Sequence, residues 1–219
     1  MIKRITEPVG KLLWPNRCVL CDRLLQEGDI CIPCANGAGV YHHNGWKILH
    51  VKDWTALWQY SGAVRDSLIR CKFRRRRSYC DTYGRELAAK LRSAPFSFDI
   101  ITWVPVSFLR RWERGYDQVE LIARRVGQEL GTGAVKTLHK HRHNRRQARI
   151  KGRDARIANV RGVYKAVDPE NFRGKRVLLI DDIVTTGATV SEAARMLKKA
   201  GAGAVYVACV ASATGGQNF

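Results

Sequence analysis

The sequence predicts an α/β protein in which helices flank a parallel sheet, preceded by a small four-cysteine module. Short apolar runs without strict alternation indicate strands buried on both faces, and helical patterns alternate with them along the chain. Two C-x₂-C pairs near the N-terminus predict the module. With 219 residues and a hydrophobic content of 45%, the chain can fill one core of moderate size and carry that appendage.

The module is expected to hold a structural Zn²⁺. Its cysteines have C-x₂-C-x₉-C-x₂-C spacing, so each pair can direct two thiolates at one tetrahedral ion. Four thiolates complete the shell and leave no position open for catalysis. Disulfides and a redox-active C-x₂-C are the competing interpretations, and a cytoplasmic location disfavours disulfides. The expected ligands are Cys18, Cys21, Cys31 and Cys34.

Three regions are predicted along the chain. The zinc module covers residues 1–40, residues 41–53 form a linker, and the α/β domain covers residues 54–219. No signal peptide and no membrane span are recognisable, since the longest apolar stretch is rich in Gly and Ala and too short to cross a bilayer. We therefore expect a cytoplasmic protein without membrane insertion.

The elements of the domain follow from periodicity. Residues 55–60 alternate like a strand, and residues 82–91 place apolar side chains at helical spacing. Residues 99–106 are predicted as a second, buried strand. A helix follows with apolar residues repeating on one face, and Gly131 ends it. The stretch at 200–213 is predicted as a further strand.

The most informative segment, at residues 176–189, reads RVLLIDDIVTTGAT. Its apolar run predicts a buried strand with two acids at the carboxyl end, and small residues then lead into a helix. Backbone N–H groups at a helix start bind phosphate. Two carboxylates beside a phosphate would repel it unless they faced hydroxyls or a bridging Mg²⁺. A sugar phosphate therefore fits better than a bare anion.

This segment resembles the signature of type I phosphoribosyltransferases, which bind 5-phosphoribosyl-1-pyrophosphate (PRPP) together with Mg²⁺. An ordinary strand and turn with surface acids is the alternative. The resemblance implies that Asp181 and Asp182 bind the ribose hydroxyls. Purine-salvage members place an Asp where this chain has Thr185, which argues against hypoxanthine-type substrates. The residues implied for the ribose 5-phosphate are Thr185, Thr186, Gly187, Ala188 and Thr189.

Residues 103–123 form a second candidate segment, in which arginines follow a strand end. Backbone groups and guanidinium forks suit a diphosphate, although an arginine cluster alone is usually a solvated face. Beside the PRPP motif, this segment is expected to bind the pyrophosphate group through Val106, Ser107, Arg110, Arg111 and Arg114. No catalytic residue and no acceptor pocket can be assigned.

The net charge of +20 is the unusual feature of the composition. Residues 65–77 carry seven Lys or Arg against one acid, and residues 141–161 carry eight against one. Such clusters suit a polyanion, and single-stranded DNA is the expected partner. Basic faces that only solubilise the chain, or that serve a pyrophosphate ligand, are the alternatives. The second cluster is interpreted as a lid carrying Gln147, Arg156 and Asn159, with a disordered basic loop as the alternative.

The order of these motifs is similar to that of the ComF family. The cysteine module, a Y-x-G at Tyr60, a K-F at Lys72, an R-G-Y-D-Q ending at Gln118, the lid and the D-D motif succeed one another over nearly the whole chain. This resemblance implies a phosphoribosyltransferase-like fold and a role in natural transformation, where incoming single-stranded DNA is handled in the cytoplasm. It also implies two partners, a ComFA-type ATPase and DprA.

Two functional hypotheses follow. The first is a phosphoribosyltransferase with an unknown, non-purine acceptor, and the second is a non-catalytic nucleic-acid-binding adaptor with a regulatory PRPP pocket. A salt-sensitive affinity for single-stranded DNA would favour the second. The cysteines outside the module receive no role: Cys71, Cys80 and Cys209.

Overall fold

The computed structural model describes residues 16–43, 45–74, 76–144, 150 and 152–214. Its strands are β1 (Asp53–Gln59), β2 (Ile100–Trp103), β3 (Leu138–Lys140), β4 (Tyr164–Ala166), β5 (Arg176–Val184) and β6 (Ala204–Ser212). The main sheet is four-stranded and parallel, in the order β1-β6-β5-β2. The remaining two strands, β3 and β4, pair antiparallel to each other. The α/β class with a parallel sheet is thus confirmed.

The helices are α1 (Ile32–Gly37), α2 (Gly62–Phe73), α3 (Tyr79–Arg92), α4 (Phe108–Arg114), α5 (Gln118–Leu130), α6 (Arg153–Val160) and α7 (Ala188–Lys199). A short 3₁₀ turn spans Pro169–Asn171. Helix α5 shows why the sequence signals work. The Asp117 carboxylate accepts hydrogen bonds from the N–H groups of Val119 and Glu120, and Gly131 ends the helix at a φ of 68°.

The sheet is covered on both faces, as the continuous apolar strands predicted. Leu178 and Ile180 of β5 pack into one core layer with residues of α3 and α5. Val177 and Leu179 point the other way and pack with residues of α7. All four side chains are buried, and each stabilises the fold by about 1.5–3 kcal/mol relative to an exposed side chain.

Strand β5 differs from its prediction in length. The acids were expected after the strand, but β5 continues through them to Val184, because β6 extends its partner edge to Ser212. On the other side β2 ends at Trp103, opposite Ile180. Asp181 and the residues after it therefore have no β2 partner, and this difference in strand length opens the carboxyl edge of the sheet.

Several elements were missed or misjudged from sequence. Helices α2, α4 and α6 lie in segments that had been assigned only by their positive charge. The strand predicted at 99–106 is reduced to β2, since Pro105 has no N–H for a ladder. The strand predicted at 200–213 begins only at Ala204, after glycines at positions 201 and 203. Within the described ranges, no helix is both long and apolar enough to cross a membrane.

The N-terminal segments pack on the α/β domain. Ser67 of α2 hydrogen-bonds to the Val19 carbonyl oxygen, and Arg70 donates to that of Leu20. In the predicted linker, the Tyr41 N–H donates to the Leu57 carbonyl oxygen of β1. The predicted boundaries at residues 40 and 54 stay a prediction.

Candidate ligand-binding cleft and metal centre

A cleft of about 610 Å³ opens at the carboxyl edge of the sheet. We call residues 181–189, which run from the acids of β5 into the first turn of α7, the floor of this cleft. Four of the cations that line it come from three elements, α2, α4 and β3, and we call them the cationic wall: Lys72, Arg110, Arg114 and Lys140. Arg156 of α6 also lines the cleft.

The two acids of the floor have different partners. Lys72 Nζ lies 2.9 Å from Asp182 Oδ1, and Gln118 Nε2 donates to Asp182 Oδ2 at 2.7 Å. Asp181 Oδ1 accepts only a backbone bond among the described residues, from the Asp182 N–H at 2.8 Å. Both residues are buried, at 6% and 7% exposure respectively. Asp182 is thus tied to protein cations and donors, whereas Asp181 is not.

This difference sets opposite pKa shifts. Burial raises the pKa of Asp181 well above its ordinary value, and the neighbouring Asp182 carboxylate adds to the rise. Burial acts the same way on Asp182, but the Lys72 ammonium and the Gln118 amide outweigh it and hold the pKa of Asp182 below its ordinary value. On the floor, the charge of Asp182 is therefore stabilised by neighbouring residues, whereas the charge of Asp181 is not.

The floor continues as a phosphate-sized loop at the start of α7. Gly187 has a φ of 71°, a conformation that side-chain residues rarely adopt, and α7 begins at the next residue. A Cβ atom on Gly187 would lie 2.9 Å from the Trp46 ring, so the linker packs directly against this loop. Arg156 NH1 lies 3.4 Å from Thr185 Oγ1. All five residues predicted for the 5-phosphate line the cleft.

The five residues predicted for the pyrophosphate separate in the structure. Arg110 and Arg114 reach the cleft, and Arg110 NH2 donates to the Asn144 carbonyl oxygen at 2.9 Å. Val106 lines the cleft, but its N–H donates to Asp117 Oδ2 at 3.0 Å. Ser107 and Arg111 do not line it. Ser107 Oγ hydrogen-bonds His143 Nδ1, and Arg111 pairs with Glu120 at 60% side-chain exposure.

The predicted lid residues also separate. Arg156 lies in the cleft and donates from Nε to the Ile150 carbonyl oxygen at 2.9 Å. Asn159 is absent from the cleft lining, and its carbonyl oxygen accepts from Asn144 Nδ2 at 3.1 Å. Gln147 lies outside the described residues. The segment nevertheless approaches the floor through α6.

Sequence reasoning missed several residues of the site. Lys72 and Gln118 were noted only as parts of motifs, although both contact Asp182. Asp117 connects the loop after β2 to α5, since it accepts from Val106 as well as capping the helix. Lys140 comes just before the basic cluster at 141–161, and nothing in the sequence distinguishes it from its neighbours. The order of the motifs could have suggested Lys72 and Gln118. The place of Lys140 in the cleft follows only from the folded structure.

The four module cysteines meet in space. Their Sγ atoms all lie within 4.8 Å of one another, and those of Cys21 and Cys31 are 3.7 Å apart. Zn–S bonds of ~2.3 Å in a tetrahedron place sulfur atoms ~3.8 Å apart, so the set fits the ion. The Cys31 N–H donates to Cys18 Sγ at 3.4 Å, as expected for an acceptor held to become a thiolate. This cluster could hold a metal ion.

Comparison with known proteins agrees with this architecture. The model of the phosphoribosyl transferase domain matches residues 84–218, more than half of the chain. The chain belongs to the phosphoribosyltransferase family, in its ComF branch. Competence protein F of Haemophilus influenzae is 26% identical over 201 residues, with 87% of each chain covered.

Other ComF-like relatives extend over a similar length. The DNA utilization protein YhgH of Salmonella typhi is 28% identical over 207 residues, 88% of each chain. Competence protein ComFC of Streptococcus pneumoniae is 27% identical over 197 residues, 90% of this chain and 79% of its own. Both alignments thus cover most of this chain.

Proposed function

We propose that this ComF-family chain binds PRPP with Mg²⁺ in the cleft and acts in natural transformation, handling incoming single-stranded DNA in the cytoplasm. The observation that carries the PRPP proposal is the division of the cleft. A sugar phosphate meets acids and a phosphate loop on the floor, while the diphosphate at its other end meets the cationic wall. The anionic diphosphate thus meets cations, and the 5-phosphate of the sugar meets neutral backbone donors.

The residues of the floor suit the ribose half. Asp181 and Asp182 offer carboxylate oxygens to the two hydroxyls, and the first turn of α7 offers N–H groups to the 5-phosphate. Mg²⁺ would be held between these carboxylates and the diphosphate, and when bound it would neutralise charge on the leaving group. Arg110 and Arg114 would bind the diphosphate from the wall.

The test is calorimetric titration of the protein with PRPP and Mg²⁺. Hydrogen bonds to charged groups contribute about 1.5–3 kcal/mol each, so the double variant Asp181→Ala/Asp182→Ala is expected to lose at least about 100-fold in affinity. Asp66→Ala is the matched control, because Asp66 pairs with Arg65 at 58% side-chain exposure. Equal affinity in wild type and the double variant would refute the ribose role.

Exposed aromatic side chains on the helices that carry Lys72, Arg110 and Arg114 support the DNA proposal. Phe73 at the end of α2, and Phe108 and Trp112 of α4, expose 54%, 77% and 78% of their surfaces. The guanidinium of Arg114 lies 5.4 Å from the centroid of the Phe73 ring. Exposed rings interleaved with arginines stack unpaired bases and hold phosphates, at about 1–3 kcal/mol per stacked base. The competence and DNA-utilization names of the relatives point to the same role.

DNA binding is tested by fluorescence anisotropy with a labelled single-stranded oligonucleotide. We expect wild-type affinity to fall steeply between 50 and 200 mM salt, by about 300-fold if six phosphates of the single strand are contacted. Phe108→Ala/Trp112→Ala is expected to bind about 30-fold or more weakly at fixed salt. Val135→Ala removes exposed apolar surface elsewhere and serves as the control. Salt-independent or absent binding would reject the proposal.

The non-catalytic adaptor is the second candidate. It is favoured by the net charge of +20 and by the basic stretch at residues 65–77, which suit a polyanion. Release of pyrophosphate from PRPP in the presence of amines or nucleobases would support a transferase. Tight PRPP binding without release would support the adaptor. The ComFA-type ATPase and DprA stay predicted partners.

For the cysteine module we propose a structural Zn²⁺ held by all four thiolates. Their mutual distances suit the ion, and four protein ligands leave no open position. Elemental analysis of the purified protein is expected to give one zinc per chain, and the Cys18→Ser/Cys34→Ser variant far less. A stoichiometry well away from one in the wild type would reject the site.

A further inference from the structure

Lys140 is a buried cation that faces the cleft from the end of β3. It is 8% exposed, lines the cleft, and places its ammonium 5.4 Å from the centroid of the Tyr164 ring. Within the part of the chain that the structure describes, this ammonium makes no ion pair and no hydrogen bond. Burying a charge without an anion is costly, and such groups are concentrated at functional sites. The missing anion is therefore expected from a ligand.

The acids near Lys140 form no ion pair with it. The Arg110 guanidinium of α4 is the cation that acts on the Lys140 ammonium, while Asp181 of β5 and Asp117 before α5 are the acids that act on it. In the described ranges neither acid pairs with Lys140, so neither serves as its direct counter-ion. Burial and then Arg110 lower the pKa of the Lys140 ammonium to about 8. An anion entering this region would raise that value again.

The position of β3 places Lys140 on the pyrophosphate side of the cleft. The hydroxyls of Thr102 in β2 and Thr137 beside β3 are 2.7 Å apart, so β3 is held next to the strand that leads to Arg110. The loop of the predicted 5-phosphate site lies beyond β5, at the start of α7. Lys140 therefore shares its side of the cleft with the arginines assigned to the diphosphate.

We infer that Lys140 is a further anion-binding residue of the cleft, which contacts the pyrophosphate group of PRPP and leaves the 5-phosphate to the floor. The inference rests on the proposed PRPP function and adds a residue that no motif indicated. Lys140 completes the wall from β3, while Arg110 and Arg114 contribute from α4. The ligand, in turn, supplies the counter-ion that the described residues do not provide.

The decisive variant is Lys140→Met, which keeps the length of the side chain and removes its charge. Its control is Lys165→Met on the paired strand β4, where the side chain is exposed. Calorimetry uses PRPP, inorganic pyrophosphate and ribose 5-phosphate, each with Mg²⁺. We expect Lys140→Met to bind PRPP and pyrophosphate about 10- to 100-fold more weakly and ribose 5-phosphate unchanged. Lys165→Met is expected to match wild type throughout.

Protonation gives a second readout. Wild-type affinity for pyrophosphate should decline above pH 8 as Lys140 loses its proton, whereas Lys140→Arg should retain affinity across that range. Both proteins share the titration of pyrophosphate itself, so the difference between their profiles reports the lysine. Identical profiles would overturn the inference.

Folding is monitored by thermal unfolding without ligand. Lys140→Met is expected to have the same or a higher Tm than wild type, since it removes a buried, unpaired charge. A lower Tm would overturn the account of an unpaired cation. Loss of PRPP and pyrophosphate binding with ribose 5-phosphate retained supports the inference. Equal PRPP affinity in wild type and Lys140→Met overturns it.

The two proposals fail separately. Wild-type protein that binds pyrophosphate through Lys140, but neither PRPP nor ribose 5-phosphate, would refute the proposed function while keeping Lys140 as an anion-binding residue of the cleft. Wild-type protein that binds none of the three ligands would overturn both.

Discussion

The floor and the cationic wall of the cleft are built in opposite ways. The floor is nine consecutive residues, 181–189, and it places acids and a phosphate loop on one strand and the helix after it. The wall takes its four cations from three separate parts of the chain, α2, α4 and β3. The floor is specified locally, whereas the wall exists only after the helices dock.

The two regions also differ in how their charges are compensated. Asp182 on the floor is paired inside the protein with Lys72, whereas Lys140 on the wall makes no ion pair with the described residues and lies against the Tyr164 ring. The contact of Lys72 with Asp182 joins floor to wall. The expected effect of a substitution therefore depends on whether the residue takes part in this Lys72–Asp182 contact.

Removing the Lys72–Asp182 ion pair has the largest expected effect on stability. Lys72→Met leaves Asp182 as a buried carboxylate without its cation, which costs about 3–5 kcal/mol in free energy of unfolding. Denaturant unfolding measures this loss. In Lys72→Met/Asp182→Asn the orphaned charge is also removed, so we expect much of the stability to return. A single variant as stable as wild type would show that floor and wall are not coupled.

Arg110 and Arg111 are adjacent in sequence, but only Arg110 belongs to the cationic wall. Arg110→Ala is expected to weaken PRPP binding by about 1.5–3 kcal/mol, since it removes a charged hydrogen-bond donor from the cleft. Arg111→Ala should change binding by less than about 0.5 kcal/mol, because Arg111 makes a surface pair with Glu120. Calorimetry on both variants gives the comparison. Equal losses would place Arg111 in the site after all.

Substitution of Gly187 perturbs the floor without touching its charges. Gly187→Ala combines left-handed backbone strain with a contact against Trp46, and we expect a loss of about 1–3 kcal/mol in stability. Gly174→Ala is the matched control, because Gly174 has a φ of 72° and open space where its Cβ would lie. A larger loss at Gly187, measured by thermal unfolding, would isolate the Trp46 contact.

The smallest expected effect is on the pH dependence of stability, to which Asp181 and Asp182 contribute with opposite signs. The pKa of Asp182 is lowered on folding, so its stabilisation is present above the unfolded pKa of about 3.9 and is lost as pH falls below it. The pKa of Asp181 is raised, so its contribution is present in acid and is lost as pH rises through the folded value. Near pH 7, Asp181→Asn should therefore stabilise the protein and Asp182→Asn destabilise it, each by about 1 kcal/mol.

Denaturant unfolding from pH 3 to pH 8 measures both profiles. Asp182→Asn should lose the dependence on pH below about 4, and Asp181→Asn should lose the decline at higher pH. Two variants that shift stability in the same direction would contradict the assignment of Lys72 and Gln118 to Asp182 alone.

Local patterns predicted the elements whose signals are complete within a short window. The buried strand β5, the glycine loop and the capped helix α5 follow from apolar runs, a left-handed glycine and an Asp cap. Helices α2, α4 and α6 were hidden because charge dominates their composition and obscures the apolar face. The length of β5 was misjudged because it depends on its β6 partner, which the local sequence does not contain.

By itself, the sequence determined the parallel α/β class, the four-cysteine spacing and the acid and glycine chemistry of the floor, since neighbours along a strand and a turn stay neighbours after folding. Only the tertiary structure decided that Lys72 pairs with Asp182, that Arg111 turns away, and that Lys140 enters the cleft. These contacts depend on how helices and strands that are distant in sequence pack together. Packing decides whether a buried charge lies next to an opposite charge, and this determines its effect on stability and binding.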